Sequence, residues 1–296
     1  MNSQLTTPPS FFTFGSMSLG SDLGKIQEHI RIARRAMDAR VWFHSSPTYN
    51  RGFTYMILRM AFEEARQLVP PMIIKIRCGI PRLLRFEVED ALRRLNIECI
   101  DVAQLVFTET GGAEVLVDDF VSGGPIKAVC DQLRAEGKVR QFCPQVDRAS
   151  SPLFVPLAKS GAFDGFVLYL NPLERDVDDA MWELLQKQGT PLWALRTVAG
   201  ALGERTRLEQ QRAKHPSDRL IPIAENVAQI SGESDWTEFC LRYARSVPHL
   251  QTTIGGTADM GHLEHFLEEA QRAAPLSDTV MEGIDTARRR SHALQG

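Results

Sequence analysis

Two polar side chains, a phenol and a primary amine, stand at positions from which they could transfer protons. Tyr49 lies in the turn-like segment PTYNRG, and Lys75 lies inside the apolar run MIIKIR. An ammonium group close to a phenol stabilises the phenolate, so the phenol can exchange protons nearer to neutral pH. His44 closes the apolar run VWFH and could be a third proton-transfer group, or equally a packing histidine. Tyr49, Lys75 and His44 are therefore the candidate catalytic residues.

The cysteines and histidines do not form a metal-binding pattern. The chain has five cysteines, spread singly without a CxxC pair, and seven histidines without an HExxH motif. We predict no metal site and interpret the cysteines as small, mostly buried apolar residues.

The composition excludes several classes of function. The 296 residues carry a formal net charge of -3, with 43% hydrophobic and 24% charged residues. A nearly neutral balance gives no electrostatic footprint for nucleic acid or an anionic membrane surface. No apolar run approaches the roughly 18 residues needed to span a bilayer, and the start of the chain lacks a signal-peptide pattern. We predict a cytoplasmic protein that binds neither nucleic acid nor membrane.

Short apolar runs alternate with amphipathic stretches along the whole chain. Eight runs have the length and composition of buried strands, at residues 11–17, 41–44, 72–77, 99–107, 139–143, 163–170, 191–195 and 250–255. Six stretches between them place apolar residues at helical spacing, at 24–40, 56–68, 86–97, 125–137, 177–189 and 262–274. Gly137 and Gly189 follow two of these stretches, where a left-handed helix cap is expected.

Eight strands with intervening helices predict a closed (β/α)8 TIM barrel, an α/β fold that forms a single domain over residues 1–296. The alternative, a doubly wound open sheet, is disfavoured because the chain has no GxGxxG motif and no phosphate-binding P-loop motif. The polar segment 203–219 is predicted to be an excursion between strands seven and eight, either a solvated helix with a loop or a mobile segment.

The predicted barrel would place the candidate residues together at its mouth. In a TIM barrel the chemistry takes place at the carboxyl ends of the strands. Lys75 is flanked by apolar residues and must point toward a polar environment, which the mouth of the barrel provides. Arg196, directly after the seventh run, could bind an anionic substrate or phosphate there, or form a surface salt bridge.

Five segments resemble motifs of the aldo-keto reductase family, in the same order and with similar spacing. They are FGSMSLG for the first barrel strand, VWFHSSPTYNRG for fDTAxxYGxG, EDALRRLNIECIDVAQLV for SLkrLgxdyiDlyxlH, LRAEGKVRQF for lxxxGKVRaiGvSN, and TIGGTADMGHLEHFLEEA for the closing phosphate-binding segment. The resemblance extends roughly from Phe12 to Ser277, and it also implies a TIM barrel.

The resemblance implies NADP(H)-dependent reduction of a small carbonyl compound. In the family a tyrosine is the general acid, a lysine lowers the pKa of the tyrosine, an aspartate holds the lysine, and a histidine helps to orient the substrate. Tyr49 and Lys75 match the tyrosine and the lysine. His44 stands at the aspartate position, and Val106 stands at the histidine position.

These two replacements predict weakened or re-tooled chemistry. Without a carboxylate partner, a buried Lys75 should have a lowered pKa and can be neutral, so that it no longer lowers the pKa of Tyr49 by charge. Loss of one hydrogen-bond donor to the reacting oxygen typically costs about 2.7–4 kcal/mol of transition-state stabilisation.

The cofactor-binding positions also depart from the family pattern. Ala258 stands where the family has the arginine that binds the 2′-phosphate, and the family residues after strand five are replaced by Gln145 and Val146. Small residues before a helix can still bind a phosphate through backbone N–H groups. The predicted contacts for NADP(H), if this cofactor binds, are Gly15, Ser16, Arg196, Gly255, Gly256 and Thr257.

Three hypotheses for function follow from these observations. The first, which we favour, is an NADP(H)-dependent aldo-keto reductase with weakened or re-tooled chemistry. The second is a redox-inactive barrel that acts as a binding or regulatory protein. The third is a non-redox lyase or isomerase that uses Tyr49, Lys75 and His44 for proton transfer. The oligomeric state is left open.

Overall fold

The computed structural model describes residues 5–107, 112–232 and 235–293, the last four of them by backbone alone. Eight short segments are extended because their β-branched and aromatic residues fit a pleated surface that is buried on both faces. These strands are β1 (Phe12–Gly15), β2 (Trp42–Ser45), β3 (Met72–Arg77), β4 (Ile100–Val106), β5 (Val139–Pro144), β6 (Phe166–Tyr169), β7 (Leu192–Leu195) and β8 (Leu250–Gly255).

The strands form one parallel sheet that closes on itself. Their order is β5-β4-β3-β2-β1-β8-β7-β6. The two ends of this order meet where the Val146 N–H donates a hydrogen bond to the Val167 carbonyl at 3.0 Å. A parallel bridge between Gln145 and Val167 lies at the same place. The fold is therefore a single-domain (β/α)8 TIM barrel, which confirms the prediction from the sequence.

Helices surround the barrel, and none of those described is long and apolar enough to cross a membrane. The helices of the described residues are α1 (Ile26–Asp38), α2 (Phe53–Glu64), α3 (Pro81–Leu95), α4 (Ala113–Ser122), α5 (Pro125–Ala135), α6 (Ser151–Ser160), α7 (Asp179–Gln188), α8 (Arg205–Lys214), α9 (Leu220–Ser231), α10 (Trp236–Ser246), α11 (Met260–Arg272) and α12 (Asp278–Ala293).

The bounds of β3 and β8 coincide with two of the predicted strands. The predicted helix at 56–68 is instead α2, which ends at Glu64 because Ala65 leaves helical geometry with φ of -150°. Gly189 has φ of +66° directly after α7, as expected for a left-handed cap. Within the segment 203–219 the structure contains α8, which has no buried residue and is therefore a solvated helix.

The two faces of each strand line two different cores. Ile74 packs between the sheet and the helices, whereas Ile73 belongs to an apolar cluster inside the barrel. Trp42 and Trp193 lie in this inner cluster, with ring centres 5.9 Å apart. Because side chains alternate along a strand, Lys75 points to the same side as Ile73, one layer nearer to the mouth.

Candidate active site

The barrel brings the three candidate catalytic side chains together at its mouth. His44 is on β2, Lys75 is on β3, and Tyr49 lies in the turn that follows β2. The Nζ atom of Lys75 lies 5.5 Å from the centre of the Tyr49 ring. The ring centres of His44 and Tyr49 are 6.2 Å apart. The amine therefore faces the ring of the phenol.

The turn that carries Tyr49 is fixed by Asn50. Asn50 has φ of +48°, a left-handed conformation that asparagine tolerates better than most residues. Its Nδ2 atom donates hydrogen bonds to the carbonyl oxygens of Met17 at 2.7 Å and Leu19 at 2.8 Å. These bonds tie the turn after β2 to the loop after β1, and they hold Tyr49 over the barrel.

His44 belongs to a chain of neutral hydrogen bonds across the barrel. Its Nε2 atom lies 2.9 Å from Oε1 of Gln104, and Nε2 of Gln104 donates to Oε1 of Gln145 at 2.7 Å. Because an amide oxygen only accepts, we assign the proton of the neutral ring to Nε2. Burial, and after it the charge of Lys75, lowers the pKa of His44 to about 3, although the hydrogen bond to Gln104 acts in the opposite direction. His44 is therefore neutral near pH 7.

Lys75 has no carboxylate to stabilise its ammonium form. Its side chain is mostly buried, and no ion pair connects it to an Asp or Glu among the residues that the structure describes. Burial lowers the pKa of Lys75, in the direction expected from the sequence.

Tyr49 is not activated by its surroundings. Burial raises the pKa of Tyr49 above its ordinary value, and the phenol of Tyr169 raises it further. Lys75 faces the ring of Tyr49, and its charge does not offset these effects. Tyr49 is consequently a neutral hydrogen-bond donor, with little tendency to form phenolate near neutral pH.

Arg196 reaches the same mouth from the end of β7. Its guanidinium lies 5.3 Å from the centre of the Tyr169 ring. Nη1 of Arg196 donates to Oε1 of Glu174 at 2.9 Å, and the Arg196 side chain is 42% exposed. Asn171 holds Glu174 in place by donating to its Oε2 atom at 3.0 Å. Arg196 is thus ion-paired, while part of its guanidinium still faces solvent.

The other predicted cofactor contacts lie at the seam between β1 and β8. Gly256 packs directly on β1, since a Cβ atom there would lie 2.2 Å from the Gly15 carbonyl oxygen. Gly255 packs against Phe12, and Ser16 is buried and donates to the His44 carbonyl oxygen at 3.0 Å. The small residues of this seam allow β1 and β8 to pack closely against each other.

A carboxylate occupies the amino end of α11, directly after this seam. Oδ1 of Asp259 accepts a hydrogen bond from the N–H of His262 at 2.9 Å, and Thr257 Oγ1 accepts from the N–H of Asp259 at 3.0 Å. The hydrogen bond from His262 lowers the pKa of Asp259. The helix end that could bind a phosphate is therefore capped by a negative charge.

Comparison with known proteins identifies the family. The family model named "Aldo/keto reductase family" matches residues 12–289, which is most of the chain. The chain belongs to the aldo/keto reductase family. None of the curated proteins compared with it matches.

Solved aldo-keto reductases share its fold at low identity. The holo form of AKR11C1 from Bacillus halodurans has a TM-score of 0.74 and 19% identity, covering 97% of this chain and 95% of that chain. The glycerol dehydrogenase AKR11B4 from Gluconobacter oxydans has a TM-score of 0.74 and 17% identity, covering 97% and 94%. A Klebsiella pneumoniae aldo-keto reductase in complex with NADPH has a TM-score of 0.68 and 16% identity, covering 96% and 95%.

One apolar and one polar residue of β4 lie at the mouth of the barrel and in the layer beneath it. Val106, at the family's histidine position, is half-buried at the end of β4 and offers no donor. Gln104, on the same strand, is fully buried and supplies the partner of His44. Gln104 is not among the site residues predicted from the sequence. Its signal was present, because a polar residue at an inward position of an apolar strand requires a polar partner.

No metal centre accompanies this site in the described part of the chain. No group of three or more His, Cys, Asp or Glu side chains there is placed to hold a metal ion.

Proposed function

We propose that this protein acts on a small carbonyl compound as an aldo/keto reductase with weakened acid catalysis. The observation that carries the proposal is the position of Lys75 Nζ, 5.5 Å from the centre of the Tyr49 ring at the barrel mouth. Membership of the family supports the reaction class. A cytoplasmic location, expected from the sequence, remains a prediction.

In the proposed mechanism Tyr49 is the acid. Its phenol donates a hydrogen bond to the carbonyl oxygen and transfers its proton as negative charge develops there. Lys75, with its lowered pKa, contributes less positive charge than a paired ammonium would. His44 does not supply a proton near neutral pH, because its pKa is about 3. The transition state therefore receives one neutral donor from this set of residues.

The reducing cofactor of the family, NADP(H), fits the seam poorly at its phosphate end. Asp259 already caps the amino end of α11 and would repel an anion. Ala258 offers no charge, and the Arg196 guanidinium is held by Glu174. Because of these residues we expect NADP(H) to bind weakly. Loss of one charged contact to phosphate corresponds to about a ten- to hundredfold weaker affinity.

A redox-inactive barrel that binds a small molecule or regulates a partner is the second candidate. The negative cap at Asp259 favours it, because that cap opposes the cofactor on which hydride transfer depends. A lyase or isomerase has less support, because it needs a base and His44 is held by Gln104 with a pKa of about 3.

Titration with NADPH, followed by tryptophan fluorescence, together with turnover of a reactive aromatic aldehyde, separates these candidates. We expect NADPH binding in the range of about 0.1–1 mM and slow consumption of NADPH with the aldehyde. Absence of both binding and turnover would overturn the reductase proposal in favour of the redox-inactive barrel.

The same assay tests the role of Lys75. We expect Lys75→Met to lower the residual turnover without abolishing it, while NADPH binding changes by less than about twofold, because the amine keeps only part of its charge and acts on the reacting oxygen through Tyr49. Arg205→Gln, on the solvated helix α8, is the matched control for loss of one positive charge. Unchanged turnover in Lys75→Met would remove Lys75 from the mechanism.

A further inference from the structure

A second polar cavity, separate from the mouth residues described above, lies beside the carboxyl-terminal helix α12. Its volume is about 240 Å³. It lies between the loop after β5, the loop after β6, the start of α7 and the second half of α12. Four arginines and two aspartates line it: Arg148, Arg175, Arg288, Arg289, Asp179 and Asp285. The excess of arginine leaves a net positive charge of two.

Arg288 is the most unusual member of this group. Its side chain is only 6% exposed. Nη2 donates to the Tyr243 hydroxyl at 2.9 Å and lies 3.5 Å from Oδ1 of Asp285. Its Nε and Nη1 atoms have no hydrogen-bond partner among the side chains and backbone that the structure describes. A buried guanidinium with two unpaired nitrogens carries a desolvation cost that a bound anion would offset.

Arg175 faces the same cavity with its charge only partly compensated. It forms an ion pair with Asp179 and lies 3.8 Å from Oδ1 of Asp285. Its Nε atom has no hydrogen-bond partner among the described residues. Stacking of its guanidinium on Trp182, at 5.1 Å from the ring centre, holds it in place. Arg148 completes this side by donating to the Arg175 carbonyl oxygen at 3.2 Å.

We propose that this cavity is a binding site for the phosphate group of a small phosphorylated compound. A net charge of two matches a dianion, and planar guanidinium groups bind phosphate oxygens through two parallel hydrogen bonds. The unpaired Nε and Nη1 atoms of Arg288 lie on different edges of its guanidinium, so a bound phosphate would take one of these donors and its other oxygens would face the remaining arginines of the cavity. A water molecule occupies about 30 Å³ of liquid, so the cavity has room for a phosphate with a small organic substituent.

The cavity lies on the same side of the barrel as the mouth. The loop after β6 carries Glu174, which pairs with Arg196, and its next residue Arg175 points into the cavity. The two sites therefore share one loop but use different side chains, and the proposal does not depend on the reductase activity.

Calorimetric titration with inorganic phosphate at constant ionic strength tests this site in the full-length protein. We expect saturable binding to the wild type below about 20 mM phosphate, and a phosphate monoester such as phenyl phosphate should bind at least as well. Arg288→Gln should weaken the affinity at least about tenfold, because it removes a buried positive charge and an unpaired donor from the cavity. The control is Arg205, on α8, whose side chain is 92% exposed. Arg205→Gln removes one positive charge outside the cavity and should leave the phosphate affinity unchanged.

Arg288 also packs on Tyr243, so Arg288→Gln is checked for folding by circular dichroism. If it does not fold, the double variant Arg148→Gln, Arg289→Gln replaces it, with the same loss of affinity expected. No saturable phosphate binding to the wild type would overturn the proposal. An equal loss in Arg205→Gln, or tighter binding of succinate than of phosphate, would also overturn it.

Discussion

The Lys75 amine faces an aromatic ring and a neutral imidazole at the barrel mouth. A buried ammonium without an anion is costly, and proteins reduce this cost by a lowered pKa. His44 favours the neutral form of Lys75, because its Nε2–H donates a hydrogen bond to Gln104 and the neutral ring carries no negative charge that could stabilise an ammonium. Tyr49, His44 and Lys75 thus all favour their neutral forms.

Lys75→Met should change the pH dependence of stability. Burial lowers the pKa of Lys75 from its ordinary value of 10.5. Between the lowered pKa and 10.5 the unfolded chain binds a proton that the folded chain does not, so stability rises with pH across this window. We expect the variant to have a higher free energy of unfolding than the wild type near pH 7, with the difference shrinking toward pH 10.5. Urea denaturation at several pH values measures this, and a difference independent of pH would contradict it.

His44 should contribute acid sensitivity. Its pKa falls from 6.5 in the unfolded chain to about 3 in the folded protein. The stability that it contributes is complete above pH 6.5 and is lost as the pH falls toward 3. The slope is about 1.4 kcal/mol per pH unit within this window.

His44→Gln should remove this slope, because a glutamine amide can also donate to Gln104 and does not titrate. The measurement is the difference in free energy of unfolding between wild type and variant from pH 7 to about pH 4.5. If the two proteins lose stability in parallel, His44 is already protonated or exposed in the folded state, and the assigned hydrogen bond is wrong.

The catalytic roles predicted for single residues stay predictions, although the structure places two of these residues together. Lys75 was singled out because an apolar-flanked amine needs a polar environment, and both Tyr49 and Lys75 matched catalytic positions of the family; the barrel brings the two side chains together. Gln104 and Arg288 were not found. The apolar strand around Gln104 indicates that this residue needs a polar partner, but which side chains lie opposite Gln104 and Arg288 depends on the fold.

Among the elements, the amino end of α11 has the clearest consequence for cofactor binding. Asp259 is an effective cap because its Oδ1 accepts from the N–H of His262. The same carboxylate places negative charge where an anion would otherwise be stabilised by the helix end. Capping and anion binding therefore compete at this position.

Asp259→Asn should separate these two effects, because asparagine caps a helix as well as aspartate but carries no charge. We expect about two- to fivefold tighter NADPH binding and an almost unchanged melting temperature. The affinity is measured by the fluorescence titration, and Asp278→Asn, at the start of α12, controls for net charge. Equal or weaker NADPH binding in Asp259→Asn would show that the cofactor does not approach α11.

Element bounds were predictable where the pattern is strong. β3 and β8 were assigned with their observed bounds because the short segments MIIKIR and LQTTIG are rich in β-branched residues and end before clear turn or helix signals. α6 was missed because Pro156 interrupts its helical pattern, and α12 was missed because its apolar residues are sparse. Weak periodicity of this kind is resolved only by packing against neighbouring elements.

For the whole molecule, the number of strands determined the correct fold. Eight buried strands with helices between them have few closed arrangements other than the TIM barrel. The barrel in turn brings residues from β2 and β3 to one mouth. What the barrel does not determine is the activity, because the same scaffold supports many reactions and its mouth here is largely uncharged.

The central claim is that the missing carboxylate at position 44 limits the acid chemistry of Tyr49. Lys75 already acts electrostatically on His44, so a carboxylate at this position would lie within reach of the amine. It would raise the pKa of Lys75, and the resulting ammonium would lower the pKa of Tyr49. If Gln104 and Gln145 both reverse their amides, Gln104 donates to the new carboxylate and accepts from Gln145.

The most direct test is the single-turnover rate of aldehyde reduction at saturating NADPH in the wild type and in His44→Asp, with His44→Asn as the uncharged control. The account predicts a rate at least about tenfold higher in His44→Asp, equivalent to about 1.4 kcal/mol of activation free energy, and no increase in His44→Asn. An unchanged or lower rate in a folded, NADPH-binding His44→Asp variant would contradict it.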